Sequence, residues 1–390
     1  MIALVKALSG RLMLLGGSLI ATFLVLEFGV FSYILKPDDV LHNVTINGVI
    51  RYEPGAKATF RHPDGSETSV TINADGWNST KPYYELDKRP GTLRLAVIGD
   101  SYVHGAFIDT KDGFPEIVEH ELNQAGINSE VYRFGMDGAP LSQYLQMLRH
   151  EVLPFKPDIA VVQLIHNDFD ESYRFIGTRY SSSFLKINVD DAGRFTEVEP
   201  TPFEPGWPDL LRELKTFRYL YYETNAYLKL KSLVSQYVWG EEVLFSPEFI
   251  SSAVDIRNLE EMDKIRFVTR YVMHEMKQLA DANGIRLLFV MDGVREAIYD
   301  GKPRSAYKVA ELNDLARQTA DELGLPFLDL QQAFADDYAA SKKRLEFDFD
   351  WHWNRRANAL AGKAIANAIR TEPSLLGHTA VGSVSDPPAP

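Results

Sequence analysis

Ser101 follows Gly99-Asp100 at the end of a short apolar run, Leu93–Ile98. A hydroxyl alone is a weak nucleophile, so covalent chemistry at this serine needs a base. Near neutral pH a histidine suits that task. Of the nine histidines, His352 has the best surroundings, in Phe347-Asp348-Phe349-Asp350-Trp351-His352-Trp353-Asn354. Asp350 can reach back to the second ring nitrogen, hold the tautomer and stabilise the imidazolium. Asp348 competes for that role. In an extended segment Asp348, Asp350 and His352 all face one side. Such a trio could also hold a metal, but further ligands are missing nearby. The plain alternative for Ser101 is the N-cap of an ordinary strand-to-helix turn.

Acyl transfer also needs donors aimed at a developing oxyanion. The backbone N–H of Ser101 is one. Gly138, in Phe134-Gly135-Met136-Asp137-Gly138-Ala139-Pro140, lets a second N–H approach closely. Asn167, in Ile165-His166-Asn167-Asp168, offers a side-chain amide. Taken singly, these are a turn glycine and a capping asparagine. Together they follow successive strands.

Those strands are short, mostly apolar runs that alternate with helical patterns from Leu93 onward. The spacing predicts strands at Leu93–Ile98, Glu130–Phe134, Asp158–Ile165, 287–291 and Pro326–Leu330. It predicts helices at Pro115–Leu122, Leu141–Leu153, 258–283, 305–323 and Arg355–Ile369. Strand–helix alternation implies a parallel sheet covered on both faces, whose carboxyl edge binds ligands. A long aromatic-rich insertion, about 171–256, interrupts the pattern after the third strand. It could serve as a lid or substrate element, or as a subdomain with its own core.

The chain ends differ from this middle. Leu12–Leu35 is apolar apart from Glu27 and a few small or hydroxylated residues. As a helix it is about 36 Å long, enough to span a bilayer. Lys6 and Arg11 precede it, while Lys36, Asp38 and Asp39 follow, so the rest of the chain is expected outside the cytoplasm. A cleaved signal peptide fits less well, because Gly29–Tyr33 is a poor cleavage site. Between Val44 and Ile72, alternating residues and three Gly-containing turns predict a small β-rich segment. The last residues, 372–390, read as a flexible tail. The expected organisation is an anchor at 1–36, a β-rich segment at 37–92, a catalytic-type domain at 93–371 and the tail.

A net charge of −13 argues against nucleic acid as a partner. The absence of cysteine excludes thiolate catalysis, disulfides and cysteine-ligated metals.

The order Ser101, Gly138, Asn167, His352 resembles the SGNH, or GDSL-type, hydrolase family. The resemblance covers about Leu93–Asp168 and again Phe347 to about Ala361. It implies a three-layer α/β/α fold without a cofactor or metal. It implies Ser101 as nucleophile, Ser101, Gly138 and Asn167 as oxyanion donors, and Asp350 with His352 completing the triad. Two positions depart from the usual pattern. Ile165 stands where the family often has Gly, and the acid lies two residues before the histidine rather than three. Arg51-Tyr52-Glu53-Pro54 and Thr71-Ile72-Asn73-Ala74-Asp75-Gly76 are similar to bacterial membrane-tethered members. The expectation is an outward-facing, inner-membrane-anchored serine esterase acting on acyl, foremost acetyl, esters of carbohydrate. The alternatives are an O-acyltransferase for an exported polysaccharide, a lipid esterase, and a silent scaffold among envelope-assembly partners.

Overall fold

The computed structural model describes residues 2–175, 181–190, 193–220, 259 and 261–376. The chain divides into two compact units. One comprises Met1–Val40, Ala58–Glu67 and the described residues of Glu204–Glu248. The other comprises Leu41–Lys57, Thr68–Phe203 and the described residues beyond Phe249.

In the first unit, helix α1 (Ile2–Val25) continues as a wider π-helical stretch, Leu26–Ile34. The segment Gly10–Ile34 is long and apolar enough to cross a membrane. Leu12, Met13, Leu14, Leu19, Ile20 and Phe28 stand exposed along it. Glu27, the one acid in this stretch, finds its partners inside the same unit. Its carboxylate accepts the backbone N–H groups of Lys215 and Thr216, each at 2.8 Å. It thereby occupies the donors that open the short helix Lys215–Arg218.

The second unit begins with a hairpin, β1 (Asn43–Ile46) and β2 (Val49–Tyr52). Asn47 and Gly48 both take positive φ, the conformation a two-residue hairpin turn requires. The centre is a five-stranded parallel sheet of β3 (Leu93–Gly99), β4 (Ser129–Gly135), β5 (Ile159–Leu164), β6 (Arg286–Met291) and β7 (Phe327–Asp329). The spatial order is β4-β3-β5-β6-β7. The register aligns the carboxyl ends: Gly99 pairs with Gly135, Ile98 with Val162, and Leu164 with Met291. Every loop that leaves a strand therefore emerges at one edge.

Alternate strand residues serve opposite faces. Leu95, Val97, Val131, Val161 and Val290 pack with Val118 and Leu122 of α3 (Phe114–Gln124) and with Ala361, Ile365 and Ile369 of the last long helix, Arg355–Thr371. The other face carries α4 (Leu141–Met147), α6 (Met262–Ala282) and α8 (Ala310–Leu323). Burying each such Leu, Ile or Val stabilises the fold by roughly 1.5–3 kcal/mol relative to exposure.

Several boundaries differ from the sequence expectation. The helix expected over Leu141–Leu153 ends at Met147, then passes through a π turn and a 3₁₀ turn, Leu153–Phe155. Pro154 and the left-handed Lys156 stop it there. The helix expected over 305–323 starts only at Ala310. The helix Gln331–Ser341 was not anticipated. It buries only Phe334, so no apolar stripe marks it. Within the insertion, the described residues include a hairpin of Lys186–Val189 with Phe195–Val198. Ser142 and Gln143 of α4 bond to the backbone of Leu185 beside it. Of the tail expected at 372–390, Pro373–Leu376 is instead a short helix whose Leu375 is buried in the core, while 377–390 and the insertion's later part, 221–256, lie outside the described residues.

Candidate active site

Ser101 is held where β3 becomes α2 (Ser101–His104). Asp100 caps that helix, its Oδ1 accepting the Tyr102 N–H at 2.9 Å. Two glycines let the helix sit tight on the sheet edge. A Cβ on Gly99 would come within 2.4 Å of Val103, and one on Gly135 within 2.2 Å of the His104 nitrogen. Ser101 opens the helix, so its N–H is free of the helical ladder.

His352 Nε2 lies 2.7 Å from Ser101 Oγ. The other ring nitrogen, Nδ1, is hydrogen-bonded to Asp350 Oδ1, which also accepts the His352 backbone N–H at 2.8 Å. A carboxylate only accepts, so Nδ1 carries the proton and Nε2 is left to accept from the serine hydroxyl. Asp348 is exposed, away from this chain of hydrogen bonds. Asp100 offers Ser101 Oγ a second acceptor at 3.3 Å. Its burial pushes that carboxyl up to about 6, against the opposing pull of the Tyr102 N–H and of His352.

The histidine loop is pinned from beneath by Arg295, which is fully buried at the start of α7 (Arg295–Asp300). Its guanidinium donates to the carbonyl of Trp351 at 2.7 Å and to Tyr102 Oη at 2.9 Å. Asp292 and Glu346 balance its charge at 3.3 and 3.4 Å. Trp353 Nε1 donates to Asp292 at 3.1 Å, and Asn354 caps the final helix through the N–H groups of Arg356 and Ala357. His352 therefore sits between two anchored residues. Phe107, Phe347 and Phe349 form an aromatic cluster beside it, and the exposed Trp351 stacks at 5.9 Å from its ring. Phe107 takes a left-handed φ of 61°, a strained state for a bulky side chain.

The two candidate donor loops flank Ser101. Gly138 follows β4, on one side of β3, with φ of 69°. Asn167 follows β5, on the other side, at the cap position of α5 (Asp168–Glu171). Asp168 holds that turn: it accepts the Ile165 N–H at 2.7 Å and the Tyr144 hydroxyl at 2.8 Å. Burial holds its carboxyl well above the ordinary range. The Asn167 side chain also supports the carboxylate of Glu171, which burial pushes up to about 7. Ile165, at the departing position, is part of the core.

Ser101, His352 and Asp350 are thus in direct contact, with Gly138 and Asn167 on neighbouring loops of the same edge. Among the described residues, no group of three or more His, Asp or Glu side chains is arranged to hold a metal ion. Arg295, His104, Asp137 and Tyr52 were not anticipated from sequence. His104 and Asp137 lie close in the chain to Ser101 and Gly138, and Tyr52 lies in the Arg-Tyr-Glu-Pro run, but no signal in the sequence marks Arg295.

Comparison with known proteins gives one family match. Residues 249–385 match the SGNH hydrolase-like domain of the acetyltransferase AlgX. That span contains β6, β7 and the Asp350–His352 segment. No curated protein sequence matches the chain. Similar solved structures include the acetyl xylan esterase AlAXEase, 13% identical with a TM-score of 0.41, covering 71% of this chain and 100% of that one. A lipase/acylhydrolase from Enterococcus faecalis is 14% identical with a TM-score of 0.38, covering 71% and 95%. A two-domain esterase active on acetylated mannans is 12% identical with a TM-score of 0.38, covering 77% and 52%. The family match over residues 249–385 and the parallel sheet, with these loops at its carboxyl edge, are consistent with an SGNH hydrolase-like fold.

Proposed function

We propose that this protein is a serine-dependent ester enzyme that works through an acyl-serine intermediate. The observation that carries the proposal is the continuous hydrogen-bonded chain from Asp350 through His352 to Ser101. In it, Ser101 Oγ attacks the ester carbonyl while His352 Nε2 takes its proton. Asp350 stabilises the imidazolium that forms. The N–H groups of Ser101 and Gly138 and the Asn167 amide receive the oxyanion. The imidazolium then gives its proton to the departing alcohol, and a second hydroxyl, activated by His352, releases the acyl group. These steps call on no cofactor.

The substrate reading is an acyl, foremost acetyl, ester of carbohydrate. Aromatic faces beside a polar group, here Phe107, Phe349 and Trp351 around His352, suit a sugar ring better than a lipid chain. If water is the second hydroxyl, the enzyme is an esterase. Transfer to a sugar hydroxyl is the second reading, and the match to an acetyltransferase domain favours it. The apolar segment Gly10–Ile34 supports membrane anchoring, and Lys6 and Arg11 before it support an outward-facing site.

The test is to assay the purified full chain on acetylated polysaccharide, with and without an unacetylated acceptor. Release of acetate alone supports the esterase. New acetylated acceptor supports the transferase. Neither product, together with full complementation of a deletion strain by Ser101→Ala, would leave the scaffold reading in place.

A further inference from the structure

His104 ends α2, one turn after Ser101, and is buried. Its Nδ1 lies 2.7 Å from Asp137 Oδ1 and also contacts Tyr52 Oη. Tyr52 Oη accepts the Asp137 backbone N–H at 3.2 Å. The Tyr52 and His104 rings pack with centroids 4.4 Å apart. Since a carboxylate only accepts, His104 Nδ1–H and the Tyr52 hydroxyl are its two donors. Burial raises the Asp137 pKa, but His104 and Tyr52 outweigh that and hold it below the ordinary range.

Asp137 directly precedes Gly138. The loop between β4 and α4 has few ties of its own: the Met136 N–H reaches the Gly99 carbonyl at 3.2 Å, and the Ala139 N–H reaches the Met136 carbonyl at 3.0 Å. At Gly138 the backbone is left-handed, a conformation glycine adopts without the steric cost a side chain would carry. The position of the Gly138 N–H thus depends on the side chains that grip Asp137. His104 is itself fixed, because its carbonyl accepts from Asn78 Nδ2 at 2.7 Å and from Arg133 at 3.3 Å. Tyr52 comes from the hairpin at the start of this unit, fifty-two residues from His104 in the chain.

We infer that Tyr52 and His104 are positioning residues that lock Asp137, and through it aim the Gly138 N–H at the carbonyl on Ser101. The hairpin β1–β2 is on this account part of the catalytic apparatus rather than a spacer. The inference rests on the acyl-serine reading above. Oxyanion donors act on the transition state, so loosening the lock lowers kcat and leaves KM nearly unchanged.

The test uses the full chain and reads hydrogen exchange and kinetics side by side. Tyr52→Phe removes only the hydroxyl. Its Asp137–Ala139 amides should exchange about tenfold faster, with those of β3 unchanged. Its kcat should fall about tenfold and that of His104→Ala about a hundredfold, with KM within about twofold of wild type. His104→Asn, whose amide can stand in for Nδ1–H, should recover most of the loss. Unchanged exchange in Tyr52→Phe overturns the lock whether or not turnover is measurable. Faster exchange with wild-type kcat overturns its catalytic role. Full turnover by Ser101→Ala would instead defeat the acyl-serine reading, and exchange alone would then decide the lock.

Discussion

Arg295 Nη1 donates to the carbonyl oxygen of Trp351 at 2.7 Å, one residue before His352 in the chain. A fully buried guanidinium thus fixes the backbone that presents the imidazole. Removing it leaves Asp292 buried without its counter-charge and Glu346 with Arg344 alone. Arg295→Met should destabilise the domain by about 3–5 kcal/mol, read as a lower urea midpoint. Arg295→Lys keeps the charge but not the planar fork, and should fall between. A wild-type midpoint for Arg295→Met would show that the network does not hold the loop.

The acid assignment separates two neighbouring aspartates. Asp350 contacts His352 Nδ1, whereas Asp348 is exposed. Asp350→Asn should lower kcat by about 10⁴-fold, because the histidine tautomer is no longer enforced. Asp348→Asn should stay near wild type. Steady-state kinetics of the two variants, with the opposite ranking, would reassign the acid.

Much of this arrangement was legible in the sequence. Strands β3, β5 and β6 are buried on both faces, so they read as near-continuous apolar runs. Ser101 and His352 were legible because each interrupts a recognisable local pattern. Arg295 was not: nothing in its neighbours distinguishes a buried arginine from a surface one. Its partners, Tyr102 and Glu346, stand 193 and 51 residues away and meet it only after the sheet has formed. His104 and Tyr52 were hidden for the same reason. The helix Gln331–Ser341 lacked the apolar stripe on which helix recognition depends.

Asp100 should leave a mark on stability against pH. Its folded-state pKa, about 6, lies above the ordinary 3.8, because burial disfavours the charged form. Between those values the folded state binds the extra proton. This carboxyl therefore makes the fold progressively less stable as pH rises from about 4 to about 6. Asp100→Asn keeps an acceptor for the Tyr102 N–H and cannot ionise. Urea titrations of the variant should show a flatter pH dependence over that window, with stability at pH 8 equal to or above wild type. An identical pH dependence in both proteins would contradict this.

Asn167 tests the oxyanion side. If its amide faces the reacting carbonyl, Asn167→Ala should lower kcat by about 10²–10³-fold and barely change KM. Its side chain makes no capping bond to α5, so its loss should cost no more than about 1 kcal/mol of stability. Kinetics and thermal melting of the one variant distinguish the roles. Wild-type kcat with a loss of several kcal/mol would make it structural.

The central claim is that Ser101 carries the acyl group. The direct measurement is intact-protein mass spectrometry of the full chain, quenched in acid during turnover of an activated acetyl ester, followed by peptide mapping. The account predicts a species heavier by one acetyl group, with the modification on Ser101. It should accumulate when His352 is replaced by a residue that cannot activate the second hydroxyl but slow attack by Ser101 persists, and it should be absent in Ser101→Ala. Turnover by wild type with no acylated species, and undiminished turnover by Ser101→Ala, would contradict it.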